Sequence, residues 1–320
     1  RENHFRVLEK QYILLLFFKI VVALGLLVVG GLLVLNQQMN IGQFVAAEII
    51  ILLVIDSAEK IILNLGNIFD ILTSLEKLGQ VTDLELDTPS DNSSLDNHIT
   101  APIEVEIKDI HFTYPGRTKA VLLNLSYTFK ANHSYCITGN NGSGKSTLIH
   151  LISGLFHPQS GTVCINGLPL PTYNITQLYK VIGNGLAEEI IFEGTFLENI
   201  TMGREFVKTE DVLWAIEKVY LSEYVKELPK GLDTSIGISG DKLSKSIIQR
   251  IIIARSIVNK PKLILLENQI DSIEETERDK IIDFLTDKSN GWTLISISNN
   301  PHLQQKSDTV IYMNAGNFVQ

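Results

Sequence analysis

Residues 139 to 147, Gly139-Asn140-Asn141-Gly142-Ser143-Gly144-Lys145-Ser146-Thr147, have the types and spacing to hold a row of phosphates. They follow the GxxxxGK[ST] pattern, in which glycines let backbone N–H groups wrap the anion and a helix N-terminus adds partial positive charge. Lys145 is placed to bridge β- and γ-phosphates, and the Ser146 hydroxyl to ligate Mg²⁺. The local context agrees. Ser134-Tyr135-Cys136-Ile137-Thr138 reads as a short buried strand before the loop, and Lys145 to Leu155 carries apolar residues at helical spacing after it. Upstream, Phe112-Thr113-Tyr114-Pro115-Gly116 sets an aromatic in a turn. Tyr114 offers a face on which adenine could stack, although a tyrosine in such a turn is more often a packing residue.

The elements that must carry this loop are of two kinds. The 320 residues are 45% hydrophobic and only 20% charged, and the formal charge of −9 leaves no basic face for nucleic acid. Mean hydropathy is +0.16, too apolar for an ordinary soluble domain, so part of the chain is expected in a lipid bilayer. Tyr12 to Leu35 is 24 residues long with Lys19 as its single charge, enough to span about 36 Å. Gly25, Gly30 and Gly31 suit close helix approach. The polar turn Asn36-Gln37-Gln38-Met39-Asn40 reverses the chain into a second apolar stretch, Ile41 to about Leu65, which carries Glu48, Asp56, Glu59 and Lys60. Glu48 and Glu59 fall within about 20° of each other on a helix. Carboxylates at membrane depth belong in a bundle interior or a wet cavity, a reading that stays open for Glu48. Asp56, Glu59 and Lys60 are expected on a solvated extension, with Asp56 and Lys60 an i,i+4 pair. Arg1, Arg6 and Lys10 ahead of the first span put that end in the cytoplasm.

Residues 1–80 are therefore read as the C-terminal part of a transmembrane domain, with spans at about 12–35 and 41–65. Residues 81–100, polar and acidic, are read as a linker, and residues 101–320 as a soluble α/β domain around a mostly parallel sheet. The two cysteines, Cys136 and Cys164, make no disulfide framework and no metal-ligand spacing with the seven histidines. Glu274, Glu275 and Glu277 read as a solvated helix face. Arg1 in place of a methionine, with no leader pattern, reads as the cut end of a longer protein.

With these motifs in order, the chain resembles an ATP-binding-cassette (ABC) exporter half-transporter: the last two transmembrane helices joined to a nucleotide-binding domain. The resemblance runs through the Phe-Thr-Tyr-Pro-Gly segment, the phosphate loop, Phe192 to Ile200, Arg250 to Arg255 and Pro261 to Leu266, and covers essentially the whole chain. Ile41 to Glu48 looks, more weakly, like bacterial peptide and toxin secretion systems. The family usually continues past residue 320. The resemblance implies a P-loop NTPase fold with a helical signature subdomain near residues 195–255, and ATP and Mg²⁺ as cofactors. It also implies a second half-transporter as partner (homo- or heterodimer), a lipid bilayer, an unidentified export cargo, and no nucleic acid. The place it implies is the plasma (inner) membrane, multi-pass, with the nucleotide-binding domain on the cytoplasmic side.

The departures from the family pattern bear on mechanism. The glutamine that senses the γ-phosphate aligns with Ala187. The signature Leu-Ser-Gly-Gly-Gln becomes Leu243-Ser244-Lys245-Ser246-Ile247. The Asp-Glu pair that ends the second nucleotide strand becomes Glu267-Asn268, and the switch histidine becomes Asn299. A neutral amide at Asn268 cannot accept a proton from water at pH 7, so the general base is lost. Glu267 keeps a carboxylate for Mg²⁺, one methylene longer than Asp. Asn299 can donate a hydrogen bond but carries no charge. Lys245 and Ser246 crowd a position where glycines would allow close approach to a partner's nucleotide, and Ser244 is equally an ordinary helix N-cap. The expectation is an ATP-binding subunit that hydrolyses weakly or not at all. The alternative is a non-transporting, nucleotide-gated membrane regulator or scaffold.

Overall fold

The apolar repeat changes character near residue 83, and so does the structure. A computed structural model of the chain describes residues 2–83, 99–186, 191–237 and 243–319. It comprises two compact units, residues 1–87 and 88–320.

The first unit is a helical hairpin of α1 (Glu2–Leu35) and α2 (Ile41–Thr82). Both are long and apolar enough to cross a membrane. The turn is fixed by Asn40, whose side chain accepts from the Gln43 N–H at 2.7 Å while the Gln43 side chain accepts from the Asn40 N–H at 3.1 Å. Gly30 is the glycine that permits close approach, since a Cβ there would collide with the Phe44 ring; Gly25 and Gly31 face open space. Large apolar side chains cover the outside of both helices, from Tyr12 and Leu14 to Leu75 and Leu78, a surface suited to hydrocarbon. The 42 residues of α2 extend about 63 Å, twice a hydrocarbon core. The charges pair differently from expectation. Lys19 of α1 meets both Asp56, at 3.2 Å, and Glu59 of α2 across the hairpin, so Asp56 is joined to the opposite helix rather than to Lys60. An inter-helix clasp compensates charge where water is scarce, which an i,i+4 pair on a solvated arm has no need to do.

Among the described residues the second unit has two large sheets and a two-stranded one. Its strands and helices, in order, are β1 (Val105–Phe112), β2 (Leu122–Phe129), β3 (Ser134–Thr138), α3 (Lys145–Ile152), β4 (Ser160–Ile165), β5 (Leu168–Pro169), α4 (Ile175–Val181), β6 (Ile182–Gly185), β7 (Gly194–Thr195), α5 (Phe196–Thr201), α6 (Thr209–Lys218), α7 (Ser222–Glu227), β8 (Ser235–Ile236), α8 (Lys245–Ile257), β9 (Leu263–Glu267), α9 (Glu275–Thr286), β10 (Thr293–Ile297), α10 (Pro301–Lys306), β11 (Thr309–Asn314) and β12 (Asn317–Val319). The order β12-β11-β3-β10-β9-β6 forms a sheet that is parallel except for β12, and β2-β1-β4-β5 forms an antiparallel one. The near-continuous apolar runs of β3, β9 and β10 reflect burial on both faces.

Alternation along those strands divides the core. Tyr135, Ile137, Leu263, Leu265, Ile295 and Ile297 pack with α3 and the antiparallel sheet. Cys136, Ile264, Leu266 and Leu294 pack with α5, α6, α8 and α9. The expected fold class holds: apolar N-terminal helices, then an α/β domain with a helical segment around residues 196–257.

Candidate nucleotide-binding site

The parallel sheet sets the site at the C-terminal ends of its strands. β3 lies between β10 and β11 and delivers the chain into the phosphate loop. Gly139 (φ 138°) needs glycine twice over, for its backbone angle and because a Cβ would strike the Met313 carbonyl. Gly144 (φ 100°) turns the chain into α3, which ends at Ile152, capped by Ser153, earlier than the sequence periodicity implies. The Lys145 ammonium folds back onto the loop, donating to the carbonyls of Gly139 (2.9 Å) and Asn140 (2.8 Å) and reaching the Ser143 hydroxyl at 3.4 Å. Burial lowers its pKa below the ordinary lysine value, and the negative charge of Glu267 opposes that shift. Asn141, Gly142 and Ser146 are exposed along the loop.

Tyr114 stands beside the loop for a reason the sequence did not disclose. Its hydroxyl lies 3.0 Å from the Thr147 hydroxyl, and its ring meets Phe112 and Phe156 edge-on, at 5.1 and 5.6 Å between centroids. The Arg117 guanidinium lies 6.0 Å from the ring centre. Tyr114 is thus anchored to the last residue of the phosphate motif.

Glu267 and Asn268 close β9 at the same end of the sheet. Glu267 is buried, with its carboxylate 3.8 Å from Nε2 of His150. Asn268 adopts a left-handed backbone (φ 53°), which asparagine tolerates better than most residues. Its N–H donates to the Ile297 carbonyl at 3.0 Å, and its own carbonyl accepts from the Gln249 side chain at 3.1 Å. Asn299 is held by its side-chain oxygen, which accepts from the Thr138 hydroxyl at 2.7 Å and so ties it to the residue before the loop.

The segment Leu243 to Ile247 leads into α8. Ser244 caps it, accepting from the Ile247 N–H at 3.3 Å. Ser244 and Lys245 are exposed, Leu243 is half-buried, Ile247 is buried, and the buried Ser246 hydroxyl has no partner among the described residues. Lys245 lines a cleft of about 210 Å³ together with Gln249, Glu267, Asn268 and Gln269. Ala187 lies outside the described residues. Among the glutamates near α9, Glu277 is not simply solvated: it pairs with Arg250 at 2.7 Å.

The structure therefore gathers the phosphate loop, Thr138, Glu267, Asn268 and Asn299 at one end of one sheet. Sequence reasoning missed Thr138, Gln249 and His150. Only His150 left a signal, its i,i+4 spacing from Ser146.

Residues 122–270 match the family model described as ABC transporter. The chain is 31% identical over 229 residues to the ATP-dependent permease MDL1 of Candida albicans, covering 69% of this chain and 33% of that protein. It is 29% identical over 257 residues to a putative export ATP-binding/permease protein of Rickettsia felis, covering 78% of this chain and 45% of that one. Among solved structures it resembles a bacterial Atm1-family ABC exporter with ATP bound, at a TM-score of 0.65 and 26% identity, over 69% of this chain and 39% of that chain. The chain thus spans between a third and a half of the length of these relatives.

Proposed function

Because this chain belongs to the ABC transporter family through its nucleotide-binding unit, we propose that it is the ATP-binding part of a membrane exporter that holds Mg-ATP firmly and turns it over weakly or not at all. One juxtaposition carries the reading. The phosphate loop keeps its positive-φ glycines and its lysine, while the residue placed to activate water, Asn268, presents an amide. Binding and hydrolysis are separable, because phosphate affinity comes from N–H groups and charge whereas hydrolysis also needs a proton acceptor.

The chain's own groups take these roles. Backbone N–H groups of the loop and of the first turn of α3 would face the phosphates, and Lys145 would exchange its two carbonyl acceptors for phosphate oxygens. Tyr114 lies beside the base. The Ser146 hydroxyl and the Glu267 carboxylate are hard oxygen donors of the kind magnesium takes, so the donor set fits the ion. When bound, magnesium supplies neutralisation of phosphate charge. Asn299 is committed to Thr138 through its oxygen and keeps only its amide hydrogens for a phosphate. Leu243 to Ile247 would face the nucleotide of a second half-transporter, identical or different, with Lys245 the added cation. The hairpin would lie in the plasma membrane with the nucleotide-binding unit on its cytoplasmic side, and the export cargo is unidentified.

The test is calorimetric titration of the full chain, in lipid nanodiscs, with Mg-ATP. Micromolar binding abolished by Lys145→Ala is expected; binding indifferent to that substitution would refute the reading.

A further inference from the structure

A histidine unused by any role above lies beside Glu267. His150 is 6% exposed, and among the described residues neither of its ring nitrogens has a hydrogen-bond partner. Its ring packs edge-on against Phe156 at 5.3 Å, which fixes the plane of the imidazole. Nε2 lies 3.8 Å from Oε2 of Glu267, itself 4% exposed. A desolvated polar atom with no partner is destabilising, and in native proteins it marks a bound species or a chemical role.

Its place on the helix says which role. Ser146 and His150 are four residues apart on α3 and share a face. Long side chains on a helix lean toward its N-terminus, so the imidazole covers the turn that carries Ser146. Glu267 arrives at the same spot from the end of β9, and its negative charge acts on Lys145. Two groups therefore meet one helical turn from Ser146: a carboxylate oxygen and an imidazole nitrogen. Donors 3.8 Å apart can share one ion at bonds of about 2.1 Å after a sub-ångström adjustment.

Imidazole nitrogen changes what the site selects. Magnesium takes oxygen ligands almost exclusively, whereas first-row transition cations accept imidazole and bind mixed sites more tightly. Among the described residues no cluster of three or more His, Cys, Asp or Glu could hold a metal unaided. The remaining ligands must come from the nucleotide's phosphates.

We propose that His150 and Glu267 form a mixed nitrogen–oxygen seat for the nucleotide's divalent cation, so that the site prefers a manganese-class transition cation to magnesium. The proposal rests on the nucleotide reading above. It also explains the longer carboxylate: the extra methylene of Glu267 brings its oxygen to His150.

The test uses the full chain in lipid nanodiscs, titrated with ATP in the presence of Mn²⁺ or Mg²⁺ as sole divalent cation. ATP should bind about tenfold more tightly with Mn²⁺, and His150→Phe, which fills the volume without a nitrogen, should bring the two affinities together. Pulsed electron paramagnetic resonance of the Mn²⁺–ATP complex gives a readout that needs no variant. The nitrogen coupling to manganese should change when the protein's histidines carry ¹⁵N, and Mn²⁺ without nucleotide should bind far more weakly. Equal affinities in the wild type, a preference unaltered by His150→Phe, or a spectrum indifferent to histidine labelling would overturn the cation seat while leaving nucleotide binding intact. Absence of ATP binding with either cation would overturn both.

Discussion

If Asn268 is where catalysis is lost, returning a carboxylate there should return turnover. The substitution is Asn268→Glu, and the structure sets both sides of its effect. The backbone is pinned independently of the side chain, by the N–H bond to Ile297 and the carbonyl bond from Gln249, so the new carboxylate should leave from the same point. The left-handed φ of 53° suits asparagine better than glutamate and costs about 1 kcal/mol of folding stability. That is a fall of roughly 2–4 °C in melting temperature for a domain of this size. A positioned general base contributes about 10² to 10⁴ in rate, equivalent to about 2.7 to 5.4 kcal/mol of barrier. On the proposed reading Lys245, Ser246 and Asn299 also weaken hydrolysis, so the expected gain lies at the lower end, about 10². Phosphate release would be followed at saturating Mg-ATP on the full chain in nanodiscs, with Asn268→Glu/Lys145→Ala subtracting contaminating ATPase. A folded Asn268→Glu protein no faster than wild type would refute the assignment of the missing base, as would a wild type already turning over at the rate of the variant.

Other consequences follow from contacts away from the loop. Lys19→Ala leaves Asp56 and Glu59 of α2 without their shared cation, and should lower the thermal transition in nanodiscs; adding Asp56→Asn and Glu59→Gln should restore most of it, and an unchanged thermal transition for Lys19→Ala would contradict the clasp. Burial disfavours the Asp308 carboxylate, but hydrogen bonds from Lys288 and Ser134 outweigh it and hold its pKa below the ordinary aspartate value. A depressed folded pKa means its stabilisation is present above about pH 4 and is lost as pH falls through the folded value. The gap in urea midpoint between wild type and Asp308→Asn should be constant from about pH 7 to 5 and close below about 4. Burial pushes the Cys136 thiol up to about 11 and it donates weakly to the Ser298 carbonyl, so iodoacetamide at about pH 8 should label it only after unfolding.

How far these features can be read from sequence depends on the range over which they are encoded. The phosphate loop is local: strand, glycines, lysine and helix fall within Ser134 to Ile152, and each residue type announces its conformation. Ser244 as an N-cap before Ile247 is equally local. The pairing of Lys19 with Asp56 and Glu59 is not, because an i,i+4 rule sees one helix at a time and the hairpin register depends on the Asn40 cap and on Phe44 packing over Gly30. The bond between Thr138 and Asn299 joins residues 161 positions apart, brought together only by the parallel register of β3 and β10. His150 reads in sequence as one more residue on an apolar helix; its meaning appears only when β9 places Glu267 against it. What escaped the sequence is side-chain pairing across the sheet, which strand order decides.

The most direct measurement recovers the nucleotide that the full chain, in nanodiscs, has bound. Protein is loaded with Mg-ATP, held for a time in which a site turning over at about 1 s⁻¹ would complete many cycles, filtered, and its nucleotide separated. Wild type should retain stoichiometric, intact ATP, and Lys145→Ala should retain none. Bound ADP accumulating with release of phosphate would show that water is activated without a carboxylate at position 268, and would contradict the proposed function.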